Sequence, residues 1–283
     1  MTLADLPPLR ESLEAHDLFA KKAFGQHFLL DLNITRKIAR LAAPLDDVTV
    51  IEVGPGPGGL TRALLEAGAR VIAVEKDARF LPLLQELADA ANGRLTMVEA
   101  DALQVDEAAL TGGAPYKVIS NLPYNVGTPL LIKWLTQATP PMQMVLMFQK
   151  EVAQRIAARV NEDAYGRLAV IAQAVCEASL VMDLPGRAFT PPPKVASAVV
   201  RLAPLPDRPA ASLLAALEKV TAAAFGQRRK MLRSSLKTLG GEALCEAAGI
   251  AAHRRAETVP VEGFLELARA LIAADSSSLP GLS

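Results

Sequence analysis

Apolar, β-branched runs and helical patterns alternate along the chain from residue 48 onward. The runs predict five strands, and the stretches between and after them predict helices. The predicted strands are residues 48–53, 70–75, 95–100, 116–120 and 144–148, and the predicted helices lie around residues 60–67, 78–91, 128–136 and 150–160. Alternation at this spacing predicts βαβ units, and hence a mainly parallel sheet with helices on both faces.

Two further strand-like runs follow, over residues 170–180 and 195–202, and they flank the proline-rich segment 189–194. Proline is tolerated in a sheet mainly at its edge, so we expect an antiparallel hairpin there, which brings the sheet to seven strands. A segment with three prolines and no periodicity, residues 203–209, then predicts a linker.

The linker places a domain boundary between residues 203 and 204. Helical patterns without strands between them cover residues 212–225, 230–239, 242–248 and 261–273. They predict that residues 204–283 form a smaller, all-α domain after the α/β domain of residues 1–203. The serine-rich end of the chain, from about residue 276, is predicted to be disordered.

The composition allows a large buried core, because 51% of the 283 residues are hydrophobic. No apolar run approaches the ~18 residues needed to span a bilayer, and residues 1–10 lack the basic and apolar stretches of a secretory signal. Cys176 and Cys245 lie far apart without a CxxC pair, so we interpret them as buried thiols and expect no metal site. These features predict a soluble, cytoplasmic protein, and nothing in them demands more than a monomer.

The formal net charge is zero, but the charge is unevenly distributed. Residues 1–189 contain 18 basic and 22 acidic side chains, a difference of −4, and residues 190–283 contain 12 and 8, a difference of +4. Phosphate contacts depend on where basic side chains lie and not on the sum over the chain. The second domain could therefore hold a polyanionic partner.

The first predicted strand ends in a glycine-rich turn that opens a helix, with Gly54, Gly56 and Gly59 in it. Glycines let the backbone approach a ligand closely. Glu75 ends the next strand, 21 positions after Gly54, where a carboxylate can accept both ribose hydroxyls of an adenosine. The two features predict a nucleoside-type cofactor, and the glycine spacing leaves NAD open as an alternative.

The third predicted strand leads into Asp101 and Ala102, beside the same crevice. Asp101 could accept a hydrogen bond from an adenine amino group, although an aspartate after a strand is also a common helix cap. A glycine turn, a ribose carboxylate and an adenine-side aspartate on consecutive strands resemble the pattern of class I S-adenosylmethionine methyltransferases more closely than that of dehydrogenases. The fold expected is therefore Rossmann-like.

The fourth predicted strand runs directly into Asn121-Leu122-Pro123-Tyr124. An adenine N6 amine is a poor nucleophile because its lone pair is delocalised into the ring. The Asn121 side-chain oxygen and the Leu122 carbonyl could accept its N–H groups and favour a more sp³-like nitrogen. Tyr124 offers an aromatic face for a base that has left its stack, so the motif is suited to methyl transfer by in-line attack, without a metal.

These motifs and three further ones carry a family resemblance. The segments are residues 22–29 (KAFGQHFL), 52–56, 74–75, 101–102, 121–124, 189–195 (FTPPPKV) and 225–230 (FGQRRK). Over roughly residues 21–239 the chain resembles the KsgA (RsmA) family of ribosomal RNA small-subunit adenine N6-dimethyltransferases. The resemblance implies a class I fold and the transfer of four methyl groups, from S-adenosylmethionine, to N6 of two adjacent adenines in a small-subunit (16S) RNA hairpin during ribosome biogenesis.

The resemblance also implies roles for individual residues. The cofactor-binding set is Gln26, His27, Leu29, Gly54, Gly56, Glu75, Asp101, Ala102 and Asn121. Within it, Gln26, His27 and Leu29 would close over the methionine end of the cofactor. Asn121, Leu122 and Tyr124 would carry the target base as the catalytic residues. Many relatives have asparagine in place of His27, and because both side chains form hydrogen bonds we expect the contact to be retained.

Five basic residues in the second domain predict an RNA contact, and we call residues 228–237 the basic segment. They are Arg228, Arg229, Lys230, Arg233 and Lys237. On a helix, the last three would share one face. Phosphate contacts of this kind position a substrate without reading its sequence. The expected partners are ribosomal RNA and the small ribosomal subunit precursor.

Three alternatives remain open from the sequence. The first is a large-subunit RNA methylase that confers macrolide resistance, which the segment 189–195 and the helical end of the chain only weakly disfavour. The second is a ribosome-assembly factor in which methylation is secondary. The third is an NAD-linked oxidoreductase, which would prefer NAD to S-adenosylmethionine.

Overall fold

The computed structural model describes residues 2–18 and 27–277. In the described chain, seven strands form one sheet in the order β3-β2-β1-β4-β5-β7-β6. The strands are β1 Thr49–Val53, β2 Arg70–Glu75, β3 Leu95–Glu99, β4 Lys117–Asn121, β5 Gln143–Gln149, β6 Cys176–Leu184 and β7 Ser197–Pro204. Strands β1 to β5 pair in parallel, and β7 is antiparallel to β5. The predicted seven-stranded, mainly parallel Rossmann-like sheet is confirmed.

Strand β1 lies inside the sheet, between β2 and β4. Val50, Ile51, Val118 and Ile119 on these central strands are almost fully buried, as expected for parallel strands that are covered on both faces. The chain order reverses between β1 and β4, because β2 and β3 lie on one side and β4 and β5 on the other. Such a switch point opens a crevice at the carboxyl ends of the strands.

Helices surround the sheet and follow it. They are α1 Leu9–Ala15, α2 Leu32–Leu41, α3 Gly59–Glu66, α4 Leu81–Ala90, α5 Glu107–Thr111, α6 Gly127–Thr136, α7 Lys150–Ala157, α8 Arg167–Val175, α9 Ala211–Gly226, α10 Leu232–Ser235, α11 Gly241–Ala247 and α12 Val261–Ser277. No helix of the described residues is both long enough and apolar enough to cross a membrane. Cys176 and Cys245 are free and buried, as predicted.

One predicted strand is wrong. Residues 170–180 were expected to form a strand, but α8 continues to Val175 and β6 begins only at Cys176. Seven of the nine residues of α8 are buried. A short run that is apolar on all sides fits a buried helix as well as a buried strand, so periodicity alone does not separate the two.

The chain divides into two compact units. The first contains residues 1–134, 139–153 and 179–203, and the second contains residues 135–138, 154–178 and 204–283. The second unit therefore takes two segments that the prediction assigned to the first domain, because α8 packs against α9 and α12. Residues 278–283 of the predicted disordered tail lie outside the described residues, and Ser276 and Ser277 form the end of α12.

Within the second unit, an aromatic cluster holds the helices together. The Phe225 ring on α9 lies 6.1 Å from the Tyr165 ring and 5.3 Å from the Phe264 ring, measured between centroids. The Tyr165 hydroxyl donates to the Val259 carbonyl at 3.0 Å. The predicted helical character of the C-terminal region is confirmed.

Candidate active site

A cleft of about 860 Å³ opens at the carboxyl ends of β1, β2 and β4, within the first unit. It is lined by His27, Phe28, Leu29, Glu52, Gly54, Pro55, Gly56, Pro57, Gly59, Leu60, Glu75, Phe80, Asn121, Leu122, Pro123 and Tyr124. Eight of the predicted site residues meet here: His27, Leu29, Gly54, Gly56, Glu75, Asn121, Leu122 and Tyr124. Gln26 lies outside the described residues.

The glycine turn after β1 depends on the absence of side chains at two positions. Gly56 has a φ of +53°, a left-handed conformation that favours glycine. A Cβ atom on Gly59 would collide with the carbonyl oxygen of Leu29. The turn therefore lies directly against the segment that contains Leu29, and both border the cleft.

Glu75, at the end of β2, is buried and held by the backbone. Its Oε2 accepts the Gly56 N–H at 3.0 Å, and its Oε1 accepts the Asp77 N–H at 2.8 Å. Burial raises the pKa of the Glu75 carboxyl, and the hydrogen bonds from Asp77 and Gly56 act in the opposite direction. The carboxylate thus has a fixed orientation at the wall of the cleft, as a ribose-binding residue requires.

Glu52, the first residue of the motif at residues 52–56, has no predicted role but also lines the cleft. Its side chain is only 1% exposed, and its Oε2 accepts the Thr61 hydroxyl at 2.6 Å. Burial raises the pKa of Glu52 to about 8. A lone acid inside an apolar strand was the signal that could have identified it. No group of three or more potential metal ligands occurs in the described part of the chain.

The motif at residues 121–124 forms the opposite wall of the cleft. Asn121 Nδ2 donates to the His27 carbonyl at 3.4 Å, which sets the orientation of the amide. Leu122 is buried, and the half-buried Tyr124 shares a 2.8 Å hydrogen bond between its hydroxyl and that of Ser197. Burial raises the pKa of the Tyr124 phenol, so its ring remains neutral. Ser197, at the start of β7, is a second site residue that sequence reasoning missed.

The proline-rich segment pairs with the chain around Phe28. Phe28 and Thr190 exchange backbone hydrogen bonds of 3.0 and 2.9 Å. The His27 ring forms a 2.8 Å hydrogen bond from Nδ1 to the Pro191 carbonyl. Because a carbonyl only accepts, Nδ1 carries a proton. The His27 ring lies 5.9 Å from the Tyr124 ring, so the segment around His27 and the motif at residues 121–124 meet in the cleft.

A second cavity, of about 580 Å³, adjoins the cleft and shares Gly54, Glu75 and Pro123 with it. Asp101 and Ala102 line this second cavity and not the cleft itself. Asp101 Oδ1 accepts the Leu103 N–H at 3.0 Å, and its Oδ2 accepts from Lys76 Nζ at 2.8 Å. The hydrogen bond from Lys76 lowers the pKa of Asp101, so the carboxylate stays an acceptor. We call this space the side cavity.

The geometry of the cleft allows more than one function, and comparison with known families decides between them. The profile of one family, described as ribosomal RNA adenine dimethylase, matches residues 18–273. The chain belongs to the ribosomal RNA adenine dimethylase family. The match confirms three predictions, which are the family, the methyltransferase activity and S-adenosylmethionine as the methyl donor. The NAD-linked alternative is excluded.

Relatives in sequence and in structure agree with the family. The chain is 71% identical to the ribosomal RNA small subunit methyltransferase A of Phenylobacterium zucineum (strain HLK1), over 96% of this chain and 95% of the relative. A dimethyladenosine transferase from Plasmodium falciparum shares the fold, with a TM-score of 0.73 at 24% identity over 89% of this chain and 99% of that chain. The 23S rRNA methyltransferase ErmE has a TM-score of 0.67 at 27% identity, over 87% and 99%.

The basic segment does not form the helix predicted for residues 230–239. Helix α10 covers only Leu232–Ser235, and a 3₁₀ turn covers Lys237–Leu239. Pairing with another part of the second unit holds Met231 extended and delays the start of the helix, because the Leu232 N–H donates to the Arg254 carbonyl at 2.8 Å and Met231 bridges to Arg255. The prediction that three cations share one helical face is therefore wrong.

The five predicted cations nevertheless lie on the surface. Arg228, Arg229, Lys230, Arg233 and Lys237 are all exposed. Arg228 Nη2 donates to the Asp163 carbonyl at 2.7 Å, which ties this end of the basic segment to the loop before α8. Leu232 and Leu236 are buried and anchor the segment from beneath. The segment thus offers exposed positive charge on an anchored backbone.

Proposed function

We propose that this protein transfers methyl groups from S-adenosylmethionine to N6 of two adjacent adenines in a small-subunit ribosomal RNA hairpin. It would act in the cytoplasm, as a monomer, on a small-subunit precursor during ribosome assembly. The observation that carries the proposal is that the motif at residues 121–124 and the Glu75 carboxylate line one cleft. A cofactor held by Glu75 can thus meet a base held by residues 121–124.

The residues present fit the cofactor. Glu75, fixed by two backbone N–H groups, would hold the ribose hydroxyls, and Gly54 and Gly56 would pass close to the bound molecule. Asp101 and Ala102 would border its adenine in the side cavity. Glu52, whose Oε2 accepts the Thr61 hydroxyl, places a second buried acid beside the cleft. When bound, S-adenosylmethionine supplies an electrophilic methyl group on its sulfonium.

The residues of the base side would orient the nucleophile. Asn121 Oδ1 and the Leu122 carbonyl would accept the N–H groups of the adenine amine and direct its lone pair toward the methyl group. Tyr124, braced by Ser197, would support the face of the flipped base. Phe28, Leu29 and Leu122 are buried apolar neighbours that would keep water from the reacting atoms.

The basic segment would hold RNA phosphates. Its five cations are exposed, and Arg228 is tied to the backbone. Such contacts add affinity that depends on salt but carry no base specificity. Choice of the two adenines would then rest on RNA shape and on the fit of a flipped base at Tyr124.

Support for the small subunit as the target comes from similarity. The relative at 71% identity is named a small subunit methyltransferase, whereas the 23S rRNA methyltransferase ErmE shares 27% identity. The direct test uses small- and large-subunit particles from methylation-deficient cells, incubated with the protein and methyl-labelled S-adenosylmethionine. Mass mapping of the nucleosides should find N6,N6-dimethyladenosine at two adjacent positions of small-subunit RNA. Label in large-subunit RNA alone would refute the proposal.

A second experiment addresses the assembly-factor alternative. Asn121→Ala, expressed in cells that lack the native enzyme, should leave small-subunit RNA unmethylated and should impair subunit maturation. Normal maturation without methylation would instead favour a protein whose main role is binding and release.

A further inference from the structure

A partly buried lysine and a buried glutamate join two elements that line the side cavity, outside the residues assigned so far. Lys133 Nζ, on α6, donates to the Ala102 carbonyl at 3.0 Å and also to the Val105 carbonyl. It forms an ion pair with Glu107 Oε1 at 2.9 Å. One ammonium group therefore binds the loop after β3 at two points and the first residue of α5.

Glu107 has a second partner in the same cluster. Trp134 Nε1 donates to Glu107 Oε1 at 2.7 Å, and the Trp134 side chain is fully buried. Glu107 itself is 4% exposed. A buried carboxylate with an ammonium and an indole N–H as donors has a defined position, and loss of either donor leaves its charge poorly compensated. Helix α6 and the loop are thus held at a fixed separation.

Both elements line the side cavity. Asp101, Ala102 and Leu103 of the loop line it, and so does Leu130 of α6. Leu130 and Lys133 are three residues apart on the helix, so they lie on neighbouring positions of one face. Helix α6 also begins at Gly127, only three residues after Tyr124. The cluster therefore connects the side cavity with the motif that holds the base.

We propose that Lys133 and Glu107 are positioning residues for the adenosine end of the cofactor. They touch neither the cleft nor the side cavity, and act through the loop at residues 101–103. The inference rests on the proposed function, which assigns the side cavity to the adenine of S-adenosylmethionine. Loss of Lys133 should let the loop move away from Leu130 and weaken adenosine binding, without removing a group that contacts the reacting atoms.

The chain contains a matched control for this lysine. Lys117 Nζ also donates to two backbone carbonyls, those of Ala42 at 2.7 Å and Pro44 at 3.0 Å. Lys117 begins β4, whereas Asn121 ends it. Lys117 therefore lies at the amino end of the strand, and the cleft lies at the carboxyl end. Lys117→Met should destabilise the first unit by the same kind of loss, without an effect on the loop at residues 101–103.

The experiment compares the binding of two ligands to the full-length wild type, Lys133→Met and Lys117→Met by titration calorimetry. The ligands are S-adenosylmethionine and adenosine. Lys133→Met should raise the Kd of both ligands at least tenfold, and by similar factors, whereas Lys117→Met should change each Kd less than twofold. Methylation of small-subunit particles at saturating S-adenosylmethionine should keep at least half of the wild-type kcat in Lys133→Met, while the KM for S-adenosylmethionine rises.

Lys133→Arg tests whether the contacts themselves matter, because arginine retains a cation with several donors. It should return the Kd to within about threefold of wild type. If Lys133→Met does not fold, Glu107→Gln replaces it, since glutamine retains an acceptor for Trp134 but removes the charge; a threefold or larger rise in Kd is expected.

Equal affinities of Lys133→Met and Lys117→Met would overturn the inference, as would a loss for S-adenosylmethionine without a loss for adenosine. An unchanged Kd in Glu107→Gln, where that variant is the one measured, would overturn it too. Failure of the wild type to bind S-adenosylmethionine would instead refute the proposed function, and the inference with it. The two failures are therefore distinguishable.

Discussion

The cleft of the first unit and the basic segment of the second hold their polar groups in different ways. Glu75 and Asn121 stand at strand ends and are oriented by hydrogen bonds to the backbone. In the basic segment, Arg229 and Lys230 are exposed in a turn. The first arrangement fixes direction, on which bond formation depends steeply, and the second supplies charge, which acts over distance and needs little orientation.

This difference between the cleft and the basic segment predicts that substitutions in the two regions have different effects. Substitutions in the cleft should change the rate or the cofactor affinity by large factors and should respond little to salt. Substitutions in the basic segment should change RNA affinity by small factors that vanish at high ionic strength.

The largest effect is expected for Asn121→Ala. The variant loses the amide oxygen that would accept an N–H of the target amine, and loss of one such preorganised group lowers rates by ~10²–10³. Single-turnover methylation of small-subunit particles at saturating S-adenosylmethionine measures this. Calorimetry is the control, with an affinity for S-adenosylmethionine that falls much less than the rate. A rate within about tenfold of wild type would remove Asn121 from the mechanism.

Glu75→Gln should come next. Hydrogen bonds to a charged acceptor contribute ~1.5–3 kcal/mol, so the Kd for S-adenosylmethionine should rise roughly 10- to 100-fold. Glu99 is the matched control, because it pairs with Glu75 in register at the end of β3 but is exposed. Glu99→Gln should bind like wild type. Similar losses in both variants would mean that general charge, and not a fixed carboxylate, attracts the cofactor.

The burial of Glu52 predicts that the free energy of unfolding depends on pH, an effect that the exposed basic segment should not produce. The folded-state pKa of about 8 lies above the ordinary value of 4.5, so the folded state retains a proton that the unfolded state releases. The stability contributed by this group therefore falls as the pH rises from about 4.5 to about 8, and is level above that. Between pH 6 and 8 the loss is about 2 kcal/mol. Denaturant unfolding of wild type and Glu52→Gln measures it, and equal pH profiles would contradict it.

Smaller effects are expected in the basic segment. Arg229→Ala and Lys230→Ala should each lower RNA affinity several-fold at low salt and reduce the slope of log K against log salt by about 1. Binding of S-adenosylmethionine should not change. Arg269→Ala is the control, since Arg269 is exposed on α12 of the same unit and paired with Glu266. A salt slope equal to wild type in both test variants would exclude these residues from the RNA contact.

The smallest effect should come from the Tyr124–Ser197 hydrogen bond. Tyr124→Phe retains the ring and removes the hydroxyl, and Ser197→Ala removes its partner. Each should lower the methylation rate only a few-fold, and the double variant should lose no more than the larger single loss, because both delete one interaction. Fully additive losses would show that Ser197 does not act through Tyr124.

The elements that sequence reasoning predicted correctly are those with local causes. The bounds of β2 match the predicted residues 70–75, and the strand-end motifs at Glu75 and Asn121 meet in the cleft. Parallel strands bring their carboxyl ends to one edge, so sequential motifs become neighbours without further information.

What could not be predicted depends on contacts between distant parts of the chain. The backbone pairing of Phe28 with Thr190, and the link from Lys133 to Glu107, leave no local pattern. The apolar spacing of the basic segment predicts one helix, whereas tertiary pairing with residues 252–255 holds Met231 extended, so the helix starts only at Leu232. Such pairing overrides propensity, as it commonly does.

The arrangement of cofactor and base in one cleft is tested most directly by the structure of a ternary complex with S-adenosylhomocysteine and an RNA hairpin that carries the two adjacent adenines. A flipped adenine should lie on Tyr124, with N6 within about 3.2 Å of Asn121 Oδ1 and the Leu122 carbonyl. The ribose hydroxyls of the cofactor product should meet Glu75. An adenine bound elsewhere, or a cofactor product that does not reach Glu75, would contradict it.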